Sequence, residues 1–255
     1  MIKSLLTGGI GNLLFQVSTG YSLAKKLNTD YVIDYNEKTL RNELVHHQAY
    51  KKNLFKKIKP LEFKHKFKRY QQQGYKYNPI PLIDNLELLG FWHSEKFFFE
   101  YEKEIRSLYE FPERITKKVD LKLEKIRKKK LGIHIRDFKH HFALFPNLPK
   151  IFYDLALKKF NLDDYELIII TDNIEKVKSL YDMNKFIFLY NDDELEDLYT
   201  MSKCDSLIIS NSTFAWWGAW LGRKNRKIIV PPIWFGNAGP IDTQDLIPSR
   251  WEILS

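Results

Sequence analysis

This 255-residue sequence predicts an α/β fold built on parallel sheets, and three observations carry the prediction. Short apolar runs alternate with segments of helical periodicity along most of the chain. The first run, Ile2 to Leu6, passes at once into a glycine-rich turn, Thr7-Gly8-Gly9-Ile10-Gly11-Asn12, and then a helix. Later runs end in small polar residues where a helix begins, at Thr171-Asp172-Asn173 and at Ser210-Asn211-Ser212-Thr213. In open parallel sheets, ligands bind beyond the carboxyl ends of the strands, so these polar ends are candidate contacts.

Taken in order, Leu13 to Leu27 has apolar residues at helical spacing, and Tyr31 to Asp34 reads as a second strand. Strand, glycine turn, helix and strand make a Rossmann-like half. Gly9 and Gly11 let the backbone approach a ligand at a helix start, although a short strand-to-helix loop needs glycine in any case. Residues 35–80 read as charged helix and loop. A strand is expected over Asp84 to Phe91, and Ser94 as the cap of a helix to about Tyr109. Pro112 opens a further helix running to about Lys130, the bridge to a second domain. The boundary falls at 125/126, giving domains 1–125 and 126–255.

The second half alternates strand and helix throughout. Strands are expected at Leu131–Arg136, Glu166–Ile170, Phe186–Leu189, Leu207–Ile209 and Ile228–Val230. Helices are expected at Lys150–Phe160, Ile174–Tyr181, Asp193–Ser202 and Phe214–Leu221. The loop from Asp137 to Pro149 carries His140 and His141. His134 and Arg136 share a strand face by period two. Ser212 or Thr213 can cap the last helix, and capping alone accounts for such residues; spare hydroxyls and helix-start amides would also hold a phosphate. Trp216, Trp217 and Trp220 read as core packing rather than a sugar platform.

Composition narrows the function. The chain is 44% hydrophobic with a single cysteine, so it has a real core and no internal disulfide framework. Cys204 reads as a buried, inert thiol. No Cys/His cluster has zinc spacing. With no signal-peptide pattern and no run of 18 apolar residues, a soluble, cytoplasmic protein is expected. The formal charge of +9 is mostly lysine. It suits an anionic small molecule, nucleic acid or an anionic membrane face; solvated helix faces account for most of it. Phe55, Phe63 and Phe67 interleave with the lysines of 51–69, the pattern of a peripheral membrane patch or of a helix packed on a core. No nucleic-acid recognition motif is present. An NAD-type fingerprint is matched only in part. Gly9-x-Gly11 lacks its third glycine, the position being Leu14, although Asp34 lies where a ribose-binding acid would.

Five stretches resemble the α-1,2-fucosyltransferases, glycosyltransferase family 11: Gly8–Gln16 (GGIGNLLFQ), Gly90–Phe98 (GFWHSEKFF), His134–Arg136 (HIR), Thr171–Asn173 (TDN) and the long run Asp197–Gly222. Pro231–Phe235 and Asp245–Trp251 resemble the family's end. The resemblance implies two Rossmann-like domains facing a cleft, a GT-B-like fold, with the donor held mainly by the C-terminal one. It implies GDP-L-fucose as donor, a glycan hydroxyl as acceptor, inversion at the anomeric carbon, and no metal or other cofactor. It implies that Arg136 grips the diphosphate, that Ser212 and Thr213, with Ser210 and Asn211 beside them, meet the phosphates, that Asp172 accepts from the guanine edge or ribose, that His134 lines the guanine pocket, and that Asn12 faces the reacting centre from the other domain. Asp137, Glu95 and His93 are candidates for the general base. The family usually reads His-x-Arg-Arg-Gly-Asp, whereas here Arg136 is followed by Asp137-Phe138-Lys139. Another GDP-deoxyhexose is therefore the alternative donor, ahead of an NAD-dependent oxidoreductase.

Overall fold

The computed structural model describes residues 1–36, 46–140, 143–189 and 191–254. The chain forms two units, 1–112 with 240–248 and 113–239 with 249–255. The expected boundary at 125/126 lies later than this division.

In the first unit, strand β1 (Ile2–Ser4) leads into helix α1 (Ile10–Lys26) and strand β2 (Tyr31–Ile33). β3 (Lys59–Pro60), β4 (Lys68–Gln71) and β5 (Leu86–Leu89) complete a parallel sheet of order β3-β2-β1-β5-β4. α2 (Glu102–Leu108) follows two short 3-10 turns. α1 carries buried side chains on nearly every face because Leu13, Leu14, Phe15 and Val17 are all fully enclosed. Its start at Ile10 takes in Gly11 and Asn12, so the glycine turn is shorter than its sequence implies.

Residues 35–80 match their expectation of helix and loop in part. Among the described residues they hold a 3-10 helix, His46–Tyr50, and turns, but also β3 and β4, short and mostly exposed edge strands whose charged residues hide the two-residue period. Part of that segment, and His141, lie outside the described residues. Ser94 caps a 3-10 turn, Glu95–Phe97, accepting from Lys96 N at 3.3 Å, rather than a long helix. The segment 240–248 is tied to the first unit by backbone amides. Asp242 accepts from Tyr75 N at 2.9 Å and Asp245 from Tyr77 N at 2.8 Å.

In the second unit, α3 (Glu113–Leu123) stops well short of Lys130, because Lys129 and Lys130 already belong to strand β6 (Lys129–Ile135). Then come α4 (Lys150–Leu157), β7 (Tyr165–Thr171), α5 (Ile174–Leu180), β8 (Ile187–Phe188), α6 (Glu194–Lys203), β9 (Ser206–Ile208), α7 (Thr213–Trp220), β10 (Ile228–Val230) and β11 (Glu252–Ile253). The sheet is parallel, of order β11-β10-β9-β6-β7-β8. Its core combines Leu131, Ile133, Ile135, Ile169, Ile208 and Ile229 with Phe152, Tyr153 and Ala156 of α4. The tryptophans are core, as expected. Trp216, Trp217 and Trp220 are at most 1% exposed, and Trp216 packs on Trp251 with ring centroids 5.3 Å apart. Gly218 lets α7 approach α6, since a Cβ there would meet Met201 Cβ at 2.7 Å. Cys204 is buried, and burial pushes its thiol up to about 12. No helix among the described residues is long and apolar enough to cross a membrane.

Candidate functional site

In the second unit, β6 lies between β9 and β7, with Ile133 opposite both Ile208 and Ile169. Arg136 and Ser210–Thr213 therefore leave neighbouring strands at the same carboxyl edge. His134 and Ser210 tie the two exits together, Nδ1 to Oγ at 2.8 Å. Burial, reinforced by Arg136, lowers the His134 pKa to about 3, so the ring is neutral at physiological pH. It packs on Phe214, centroids 5.8 Å apart.

Arg136 is 42% exposed at its side chain and pairs with Asp172 at 2.9 Å. Its guanidinium lies 5.5 Å from the Phe138 ring, so the residue that departs from the family pattern offers the arginine an aromatic face. Asp172 is doubly engaged, accepting from Asp137 N at 2.9 Å as well. Asp137 pairs with Lys176 and accepts from Asn173 Nδ2 at 2.7 Å. These partners, Lys176 first, hold its carboxyl below the usual range. Asn173 also caps α5, accepting from Lys176 N at 3.1 Å.

Ser212 is the N-cap residue of α7 by position, yet its side chain makes no cap hydrogen bond. The capping that would account for this motif without a ligand is therefore not what the hydroxyl does. Thr213 opens the helix and is half-buried. Asn211 is spent on structure: its amide donates to Pro146 O at 2.9 Å and Trp234 O at 3.0 Å, pinning two loops to the strand end.

Beside this edge, a cavity of about 210 Å³ opens at the ends of β7 and β8. Its walls include Ile170, Asp172, Phe188, Asn191 and Asp197. Burial raises the Asp197 carboxyl to about 6, against a hydrogen bond from Asn191 Nδ2 at 2.7 Å that lowers it. The sequence reading did not single out Asp197. It sits in the first turn of α6, where an acid is ordinary helix-dipole chemistry, and only the fold shows it walling a cavity.

In the first unit, Gly9 is the N-cap of α1 and Asn12 sits in its first turn. Gly8 has φ +86°, and a Cβ there would meet Asn12 Nδ2 at 2.4 Å. His93 Nε2 lies 3.1 Å from Asn12 Oδ1. Burial lowers the His93 pKa to about 3, which makes it a weak base. Of the three base candidates, Asp137 is committed to Lys176 and His93 is enclosed; Glu95 is half-buried in the following turn. The backbone delivering His93 is strained: Trp92 has φ +58° and is buried, a conformation costing on the order of 1–3 kcal/mol for a bulky residue. Gln72 holds it, with Oε1 accepting from Phe91 N at 2.9 Å and Trp92 N at 2.8 Å. Gln16 joins the two turns, accepting from Thr7 N at 3.0 Å and donating to Gly90 O at 3.2 Å.

Two parallel sheets flanked by helices, with polar strand ends, define a GT-B-like architecture. The chain matches the family model "Glycosyl transferase family 11" over residues 5–238 and belongs to that family of glycosyltransferases. It is 24% identical to an α-1,2-colitosyltransferase of Escherichia coli, covering 98% of each chain. It is 33% identical to the E. coli O-antigen biosynthesis glycosyltransferase WbnK over 34% of this chain and 32% of the other. The fold is similar to that of the fucosyltransferase NodZ from Bradyrhizobium, at TM-score 0.56, 11% identity and coverage of 86% and 93%. It is also similar to POFUT1 in complex with GDP-fucose, at TM-score 0.53, 11% identity and coverage of 89% and 96%.

Proposed function

We propose that this glycosyltransferase takes L-fucose from GDP-L-fucose and transfers it, with inversion, to a glycan hydroxyl, the 2-hydroxyl of a galactose-type residue. The observation that carries the reading is the order of groups along one sheet edge. The Asp197 cavity stands at β7 and β8, the Asp172–Arg136 pair at β7 and β6, and the uncapped Ser212 beyond β9. β7 to β9 spans two strand spacings, ~10 Å, the reach of an extended nucleoside diphosphate. The base fills the cavity, where the Asp197 carboxylate accepts from guanine N–H groups. Asp172 faces the ribose, and Arg136 with Ser212 and Thr213 takes the diphosphate. Structures of NodZ soaked with GDP-fucose and of POFUT1 with GDP-fucose share this fold and support a GDP-sugar donor.

The acceptor oxygen attacks C1 on the face opposite GDP. The C1–O bond to the β-phosphate breaks, and its electron pair leaves with GDP. Arg136 and the start of α7 balance the charge appearing on that oxygen. The hydroxyl proton passes to solvent water late in an oxocarbenium-like transition state, which demands little of a base. Asn12, from the first unit, faces the sugar or the incoming hydroxyl, with Gly9 and Gly11 allowing close approach.

A second donor, another GDP-deoxyhexose, is favoured by two observations: the full-length similarity to a colitosyltransferase and Asp137-Phe138-Lys139 in place of the usual motif. Thermal shift and donor hydrolysis across GDP, GDP-fucose, other GDP-deoxyhexoses and NAD decide between them. Stabilisation by NAD and by no guanine nucleotide overturns the transferase donor assignment.

The proposal extends to a peripheral contact between segment 51–69 and an anionic membrane face. Phe55 is core and Phe67 half-buried; Phe63, 59% exposed, stands among exposed Lys64, Lys66 and Lys68. Co-sedimentation with anionic but not neutral vesicles, lost in Phe63→Ser, is the expected outcome; equal binding to both vesicles rejects it.

A further inference from the structure

We propose that His93 is a positioning residue for glycosyl transfer: its Nε2–H holds Asn12 Oδ1 and so turns the Asn12 amide nitrogen outward over Gly8, where substrate meets it. The inference deepens the proposed function and rests on Asn12 facing the reacting centre.

Three observations converge on this arrangement. The carboxamide oxygen of Asn12 lies 3.1 Å from His93 Nε2, and an amide oxygen only accepts, so Nε2 carries the proton. The opposite end of the same amide is over Gly8, an exposed residue whose missing Cβ leaves the room that Nδ2 occupies. His93 Nδ1 is buried with no hydrogen-bond partner among the described residues. A bare lone pair is easier to bury there than an N–H, which selects the same tautomer.

The surroundings keep that tautomer in place. Phe15, Phe91 and Tyr75 surround the imidazole with centroids 5.1, 5.3 and 5.8 Å away, leaving it a slot between rings. Burial keeps the ring neutral, so Nε2 donates without carrying a charge to a site that handles a neutral hydroxyl. The left-handed backbone at Trp92, clamped by Gln72, sets the ring under α1, and Gln16 locks this turn to the glycine turn. Backbone strain over-determined in this way belongs where geometry matters.

The experiment pairs two substitutions. His93→Phe keeps the aromatic slot filled and removes the donor; His93→Gln places an amide N–H near the former Nε2. Turnover with the accepted GDP-sugar is expected to fall about tenfold or more in His93→Phe, with donor KM unchanged, and to recover largely in His93→Gln. In a double-mutant cycle, His93→Phe is expected to cost nothing further in an Asn12→Ala background. Equal losses in the Phe and Gln variants, or full turnover in His93→Phe, overturn the inference. Full turnover in Asn12→Ala removes Asn12 from the reaction and this inference with it, while stabilisation by GDP separately reports donor binding. An independent readout covers a variant that fails to fold. Histidine 15N–1H spectra of the unmodified protein at pH 6 are expected to show His93 as the neutral Nε2–H tautomer, perturbed in Asn12→Ala. An Nδ1–H tautomer overturns the assignment without reference to activity.

Discussion

The two sheets each present a polar turn after a strand, and they build it from opposite materials. After β6 in the second unit the chemistry is ionic and chained: Arg136 to Asp172, Asp137 to Lys176, with Asn173 serving both a carboxylate and a helix start. After β1 in the first unit the turn is uncharged: glycines, one carboxamide and a neutral imidazole walled by aromatic rings. Charge suits a departing diphosphate, whose load changes during the reaction. A neutral, shape-defined corner suits the orientation of a hydroxyl that carries no charge. The contrast predicts that the ionic edge is lost through electrostatics and the neutral turn through geometry.

The largest effect tests the ionic side. Arg136→Ala is expected to lower turnover about a hundredfold or more, a few kcal/mol of transition-state stabilisation, while steady-state kinetics and a melting curve show the fold intact. The ion pair it removes is half-exposed and worth little to stability.

The next test asks where the two units agree. His93 and His134 are both buried and neutral, with pKa values lowered to about 3 against about 6.5 unfolded. The unfolded chain binds their protons first, so their contribution is complete above pH 6.5 and is lost as pH falls toward 3. Melting temperature is expected to drop through that window by the equivalent of roughly 1–2 kcal/mol per histidine by pH 5. Replacing either by glutamine should flatten the curve by its share.

Asp197 runs the other way. Its carboxyl is raised to about 6, so the folded state favours the protonated acid, and that advantage is lost as pH rises from about 4 through 6. Asp197→Asn is expected to be more stable than the unmodified protein by about 2 kcal/mol at pH 7.5, with the gain shrinking to about 1 kcal/mol or less at pH 4.5. GDP should stabilise it less. A smaller gain with undiminished GDP binding separates this acid from the donor site.

Geometry governs the last two pairs of substitutions. Gly8→Ala forces a side chain into a left-handed backbone and against Asn12, with an expected loss of about 1–2 kcal/mol by chemical denaturation. Gly9→Ala meets nothing within 4 Å and is expected to leave stability unchanged. Ser212→Ala should cost under about 0.5 kcal/mol, since no cap bond is lost, yet raise donor KM; Asn173→Ala, which removes a real cap, should cost about 1 kcal/mol.

Most of the second unit can be read from its sequence because its central strands carry buried apolar runs and its breaks are chemically marked. The apolar run Ile228–Val230 forms its strand at those residues, and α5 and α7 start within a residue of where the polar turns place them. The edges were not legible. β3, β4 and β11 are two to four residues long and solvent-facing on much of their surface, so they show no apolar run. The polar strand ends were recognisable as a set, since parallel sheets put them on one side. Their individual duties were not: that Asn211 is tied to two loop carbonyls, or that Asp197 walls a cavity, depends on which distant backbone comes near. In sequence His93 has the chemistry of a base; burial against Phe15 makes it a weak one, and burial depends on the fold.

The excursion of residues 240–248 bears on how the molecule is made. The first unit's Tyr75 and Tyr77 amides donate to Asp242 and Asp245, and β11 closes the second sheet later still. As the chain emerges from the ribosome, neither half can finish assembling before residues past 240 have cleared the exit tunnel. The N-terminal unit therefore gains these acceptors only after more than half of the protein has been added behind it, so its last contacts form late in synthesis.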